Sequence, residues 1–124
     1  MDLLDLFKYY EKIEDFSSGD IIFQEGEPGK TMYLVLKGLI NIKVKGKSVA
    51  KIGPGDFFGE MSLIDAKYRS ATAMAMRDSQ LVAVPENQFL RMVKKNPEFA
   101  LYILKILVRR LRNMDEKILK TVTS

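Results

Sequence analysis

Met32-Tyr33-Leu34-Val35-Leu36, Ile40-Asn41-Ile42-Lys43-Val44 and Ser48-Val49-Ala50-Lys51-Ile52 are three short runs set apart by the turn signals Lys37-Gly38 and Lys45-Gly46-Lys47. Alternation of apolar and polar residues marks strands that bury one face. Val44 to Ser48 has the form of a hairpin tip. The pattern continues outward in both directions. Ile21-Ile22-Phe23 precedes it, and Ala71 to Met76 and Leu81 to Val84 follow. The intervening turns are Ser18-Gly19-Asp20, Gly26-Glu27-Pro28-Gly29 and Gly53-Pro54-Gly55-Asp56. Such closely spaced short strands predict an antiparallel β-roll, jelly-roll-like, of about eight strands.

Helical spacing flanks the strands. Leu3, Leu6, Phe7, Tyr10 and Ile13 suit one helical face, which predicts an N-terminal helix within residues 1–15. Glu86 to Lys95 reads as a short amphipathic helix ended by Asn96-Pro97, where proline bars continuation. A long helix is expected from Glu98 to Lys120. Ala100, Ile103, Leu107, Leu111, Met114 and Ile118 recur along it in steps of three and four, a heptad-like seam with Leu104 and Val108 beside it. The expectation is a mainly β fold with flanking helices, as one domain over 1–124. The roll occupies 16–85 and the two C-terminal helices occupy 86–120.

Composition narrows the chemistry. The chain of 124 residues has no cysteine and no histidine. Disulfides, thiolate nucleophiles and Cys-ligated zinc are therefore excluded, as is the commonest general base. A metal-dependent β-roll enzyme built on a histidine cluster is excluded for the same reason. The net charge of +4 favours anionic partners in general but is too small to argue for nucleic acid by itself. The basic residues of the last helices read as a solvated face. No apolar run reaches the length of a membrane span. The acidic, mixed N-terminus (Asp2, Asp5, Lys8) does not read as a secretory signal, so a cytoplasmic location is expected.

The segment that carries chemistry is Gly53-Pro54-Gly55-Asp56-Phe57-Phe58-Gly59-Glu60-Met61-Ser62-Leu63, followed by Tyr68-Arg69-Ser70-Ala71-Thr72-Ala73. Three glycines crowd the approach to a short apolar turn, and glycine lets a ligand come close to the backbone. A turn of helix over Met61 to Ile64 would aim free N–H groups back at Gly59 and Glu60, which favours an anion. Arg69 can grip a phosphate with two donors. Glu60 beside a phosphate would be repelled unless it accepts hydrogen bonds from hydroxyls, and sugar hydroxyls are the obvious donors. Together these groups describe a ribose-phosphate site. The plain alternative is a surface ion pair between Glu60 and Arg69, which stabilises little.

These residues resemble the cyclic nucleotide-binding domain family, of the type found in the catabolite activator protein and the regulatory subunits of protein kinase A. Phe16, Gly19, Ile22, Glu25-Gly26, Tyr33-Leu34-Val35 and Gly38 fit the family's early strands and turns. Residues 53–73 fit its phosphate-binding cassette. Asn96-Pro97 and Arg109-Arg110-Leu111 fit the final helices of the bacterial members. Tyr68 departs from the proline that many members carry before the arginine.

The resemblance implies roles. Arg69 would pair with the exocyclic oxygens of the cyclic phosphate, and Glu60 with the ribose 2′-hydroxyl. Backbone N–H groups near Gly59, Met61 and Ser62 would complete the cradle. Ser70 would offer its hydroxyl and N–H, and Ala71 its backbone. Ile42, Val49 and Ala50 would line the base pocket, and Met114 and Asp115 would close over the base's edge. The implied ligand is cAMP, with cGMP the alternative: threonine after the arginine helps favour guanine in relatives, and Ser70 imitates it in part but also matches the bacterial cAMP binder. The implied function is a sensor or regulatory domain whose last helix moves on binding. No catalytic residue and no metal is expected. Expected partners are the cyclic nucleotide, a second copy through the last helix, and a downstream protein. The chain stops with no helix-turn-helix segment, so no DNA-binding domain is expected within it. The alternative function is an interaction module that kept the roll and lost the ligand.

Overall fold

The computed structural model describes residues 2–7, 12–66 and 68–123, without the side chains of 4, 7, 66 and 114–123. Two compact units are present, one over Asp2–Phe89 and the other from Leu90 onward.

The first unit opens with α1, Leu3–Phe7, whose Leu3 is buried. Eight strands follow among the described residues: β1 Ile13–Phe16, β2 Ile21–Phe23, β3 Thr31–Lys37, β4 Ile40–Val44, β5 Lys47–Ile52, β6 Phe57–Phe58, β7 Thr72–Ala75 and β8 Ser79–Pro85. A five-residue π-helix, Ser62–Ala66, interrupts the series after β6. The strands form two antiparallel four-stranded sheets, in the orders β1-β8-β3-β6 and β2-β7-β4-β5. The eight-strand roll is therefore the fold.

Its inner faces meet in one apolar cluster. Val35, Phe58 and Leu81 come from the first sheet, and Phe23, Ile40, Ile52, Ala73 and Ala75 from the second. Period-two alternation supplies these residues to the inside. The alanines of β7 are fully buried, so small side chains sit where the second sheet carries its centre.

Register shifts occur in β2, β3 and β5, and those in β2 and β5 bear on the site, since an extra residue in one strand re-aims side chains. In β2 the register moves from Ile21↔Met74 to Phe23↔Ala73, and Phe23 turns into the core. In β5 it moves from Ile42↔Ala50 to Lys43↔Ser48, leaving Val49 unpaired. The β4–β5 tip is a tight turn with Lys45 at φ 51°, uncommon for a residue with a side chain. The Lys45 N–H donates to the Glu25 carboxylate at 2.9 Å.

One expectation needs correction. The helix read over 1–15 is confined to Leu3–Phe7 where it is described, and Ile13–Phe16 is a strand. Ile13-Glu14-Asp15-Phe16 pairs with Val82 to Ser79, so the roll begins at Ile13 rather than at 16. The backbone bonds of that ladder outweigh the helical spacing that placed Ile13 with Leu3 and Leu6. Ile13 is itself half exposed, at 51%.

Helix α2, Glu86–Lys95, begins in the first unit, where its Glu86 N–H donates to Lys30 O at 2.9 Å. In the second unit it ends at Lys95, and α3 runs over Pro97–Thr123. The Phe99 N–H donates to Asn96 O at 3.0 Å, which opens α3. The apolar surface of α3 is distributed differently from the predicted seam. Phe99 and Ile103 are buried, and Ala100 and Leu107 are partly buried. Leu101, Leu104, Val108 and Leu111 are exposed, and they follow one another in steps of three, four and three. Leu111, assigned to the seam, belongs to this outer row. No helix is long and apolar enough to cross a membrane among the described residues.

Candidate functional site

The cassette grows out of β6. Phe57 and Phe58 are buried and pair with Leu34 and Tyr33, which fixes where the chain leaves the sheet. Gly59 then turns at φ 82°, and a Cβ there would stand 3.0 Å from Arg69 Nη1 and 3.3 Å from Thr31 O. Both the sign of φ and the close approach call for glycine. Glu60 follows and is 4% exposed. Its carbonyl accepts from Leu63 N at 3.0 Å and from Ile64 N at 3.2 Å, which starts the helical turn. The N–H groups of Gly59, Met61 and Ser62 stand ahead of these first bonds. The turn predicted over Met61 to Ile64 is present, widened to π geometry. Ser62 is buried and Met61 is half exposed.

Arg69 is the centre of the arrangement and is 6% exposed. Its Nη1 donates to Gly59 O at 3.0 Å and to Ser62 Oγ at 2.9 Å, and its Nη2 donates to Thr31 O at 2.7 Å. The guanidinium carbon lies 4.0 Å from the centre of the Phe23 ring. Nε is buried and has no hydrogen-bond partner among the described residues. A guanidinium carries five N–H donors, and these three bonds leave the Nε hydrogen and one Nη2 hydrogen. Two guanidinium donors match two oxygens of a phosphate or carboxylate. Burial lowers the Arg69 pKa from its ordinary range, while Tyr33, Glu27 and Glu60 act to raise it. Burial of both Glu60 and Arg69 rules out a solvent-exposed ion pair.

The chain after Arg69 is stitched to the β2–β3 loop. Gly26 N donates to Arg69 O at 2.8 Å, and Arg69 N donates to Glu27 O at 2.7 Å. Pro28 and Tyr68 form a bridge, and Glu25 N donates to Thr72 Oγ1 at 3.0 Å. Ser70 is exposed, with Oγ 3.9 Å from Met61 Sδ, and Ala71 is buried. Ile42 and Ala50 are paired across β4 and β5 and pack against the core cluster, half-buried. Ile42 also pairs with Ala73, two residues beyond Ala71. Val49, in the bulge, is 38% exposed. Met114 and Asp115 lie on α3, and their side chains fall outside the described residues.

Gly59, Glu60, Ser62 and Arg69 are thus brought together by the fold. Sequence reasoning missed Phe23, Gly29 and Thr31. A Cβ on Gly29 would collide with Arg69 Nε, so this loop packs directly on the guanidinium. The stretch Gly26-Glu27-Pro28-Gly29 signals only a turn, and Thr31 acts through a carbonyl that any residue carries.

Residues 13–96 match the family described as cyclic nucleotide-binding domain. The chain is 34% identical over 117 residues to the cyclic AMP receptor protein of Thermus thermophilus, covering 90% of this chain and 54% of that protein. It is 28% identical over 109 residues to the CRP-like cAMP-activated global transcriptional regulator of Mycobacterium tuberculosis, covering 84% of this chain and 49% of that one. The chain therefore spans about half the length of these curated relatives. The crystal structure of the Thermus thermophilus catabolite activator protein superposes with a TM-score of 0.80 at 34% identity, covering 93% of this chain and 56% of that one. The match extends over most of the chain and includes the cassette, and the protein belongs to the cyclic nucleotide-binding domain family.

Proposed function

We propose that the chain binds a purine 3′,5′-cyclic nucleotide, cAMP before cGMP, as a regulatory sensor and not as a catalyst. One observation carries the reading. The buried Nε of Arg69 has no partner among the described residues, and the same guanidinium is bonded to Gly59 O and Ser62 Oγ on either side of the buried residue Glu60. A buried donor without a partner costs free energy, and an anionic oxygen satisfies it. In this proposal Arg69 grips the exocyclic phosphate oxygens through its Nε and Nη2 donors. Glu60 accepts from the ribose 2′-hydroxyl. The N–H groups near Gly59, Met61 and Ser62, the Ser70 hydroxyl and the Ala71 backbone complete the cradle. Ile42, Val49 and Ala50 form the base wall, and Met114 and Asp115 close on the base edge. Asp115 would accept from an adenine amino group, which favours cAMP.

The proposed output is movement of α3. Binding shifts a two-state equilibrium only through contacts that differ between the states, and a lid on the base supplies such a difference. The outer row Leu101, Leu104, Val108 and Leu111 has coiled-coil spacing and supports a homodimer through α3. We further propose one domain over 1–124, a cytoplasmic location and a downstream protein partner for the moved helix. The preference for cAMP has support in the names of similar proteins, including the cAMP-activated regulator of Mycobacterium tuberculosis.

Calorimetric titration with cAMP and cGMP, beside an Arg69→Ala variant, tests the proposal. Saturable binding that falls by about 100-fold or more in the variant is expected, since two charge-assisted hydrogen bonds are lost. Absence of binding by the folded wild type would leave the interaction-module reading in its place.

A further inference from the structure

We infer that Phe23 is a positioning residue for the phosphate grip, a platform that fixes the plane of the Arg69 guanidinium while leaving its Nε–H for the ligand. The inference rests on the reading of Arg69 as the phosphate-binding residue. It begins with geometry. The hydrogen bonds to Gly59 O, Ser62 Oγ and Thr31 O fix where the guanidinium points, because such bonds run near its plane. The Phe23 ring backs one face of that plane, with the guanidinium carbon 4.0 Å from its centre.

The ring is itself held. The bulge at Ile22 turns Phe23 inward, opposite Ala73, and the side chain is 8% exposed. Phe58 stands 5.8 Å away at 41°, and Tyr33 stands 6.2 Å away at 31°. Tyr33 and Phe58 are stacked at 5.4 Å and 20°. Three rings from β2, β3 and β6 thus form one wall behind the arginine. Phe23 also borders the cassette turn, since a Cβ on Gly59 would stand 3.3 Å from its Cε2.

The choice of an aromatic ring has a chemical consequence. A buried cation needs compensation, and a ring face provides it electrostatically. It does so without accepting a hydrogen bond at Nε. A leucine would fill the space but attract the charge little. Phe23 therefore keeps Arg69 ordered and charged, with its Nε–H donor still available.

The test replaces residue 23 in the full chain by Phe23→Leu and by phenylalanine bearing increasing numbers of ring fluorines. Fluorination keeps the shape and weakens the negative face, so packing alone predicts no trend. Affinity is measured by calorimetry for whichever of cAMP and cGMP the wild type binds more tightly. We expect affinity to fall stepwise with fluorine number, reaching roughly 3- to 30-fold in the last member and in Phe23→Leu. Unchanged affinity in folded Phe23→Leu and fluorinated proteins overturns the inference.

A second readout needs no nucleotide. The Arg69 Nε–H proton resonance, assigned by its loss in Arg69→Lys, should show an upfield ring-current shift that disappears in Phe23→Leu. An unshifted resonance in the wild type overturns the inference. If the wild type binds neither nucleotide, the proposed function fails, and this resonance still decides the role of Phe23.

Discussion

Gly29 lies so close to Arg69 that a methyl group placed on it would overlap the guanidinium Nε. The two residues are forty positions apart, and the absence of a side chain at one defines the pose of the other. The Gly29 backbone lies outside the left-handed region, so alanine can adopt it without strain. Gly29→Ala should therefore act through Arg69. Overpacking costs about 1–3 kcal/mol, and the flexible end of an arginine yields before backbone does. We expect a stability loss near the low end of that range, read by thermal melting. Calorimetry should show cyclic nucleotide affinity reduced by about tenfold or more. Wild-type affinity in Gly29→Ala would mean that Arg69 grips the phosphate from another pose.

Glu60 is assigned to a hydroxyl, and a ligand lacking that hydroxyl tests the assignment. A hydrogen bond to a charged group contributes about 1.5–3 kcal/mol. The wild type should bind 2′-deoxy-cAMP roughly 10- to 150-fold more weakly than cAMP. In Glu60→Gln the gap should narrow, because the acceptor is no longer charged. An equal gap in both proteins would place the 2′-hydroxyl elsewhere.

Tyr33 gives a pH-dependent readout. Its pKa is raised, first by burial and then by Glu14, with Arg69 acting in the opposite direction. A raised folded-state value means that the folded protein keeps its phenolic proton where the unfolded chain has lost it. The associated stability is fully present below the ordinary value of 10.0 and is lost as pH rises through the folded value. Thermal midpoints measured upward from pH 10 should fall more steeply in the wild type than in Tyr33→Phe. Parallel curves would show that Tyr33 titrates as an ordinary phenol.

The outer row of α3 predicts an oligomeric state. Leu101, Leu104, Val108 and Leu111 are between 48% and 59% exposed. In sedimentation the wild type should have twice the 14.2 kDa chain mass, and Leu104→Glu and Leu111→Glu should each return it to one chain. A charge placed in an a/d seam loses apolar burial and adds repulsion between copies. Monomeric wild type at micromolar concentration would exclude the seam as a dimer contact.

The parts of the fold that were legible in the sequence are those whose signal is local. β3, β4, β5, β7 and β8 follow from short apolar runs bounded by turn residues, and the Lys45-Gly46 tip from its composition. β6 was not legible. It has two residues, Phe57 and Phe58, which become a strand only by pairing with Leu34 and Tyr33. The helical spacing of α1 continues through Ile13 and hides β1, and only the pairing with β8 reveals it as an edge strand. The site divides along the same line. Gly59, Glu60 and Arg69 announce themselves within a few residues of one another. Phe23, Gly29 and Thr31 do not, because their part in the site depends on a bulge, a missing side chain and a carbonyl.

The stitching of Arg69 and Thr72 to the loop at Glu25–Glu27 also bears on the order of folding. The Glu25–Thr72 bond joins residues 47 apart. Contacts of such separation form slowly, because the intervening chain must first be closed into a loop. The β4–β5 hairpin can assemble by itself, but the seat of Arg69 cannot. A chain emerging from the ribosome would therefore acquire its β4–β5 hairpin before its receptor site, and would remain insensitive to nucleotide until the loop around Pro28 had met Tyr68.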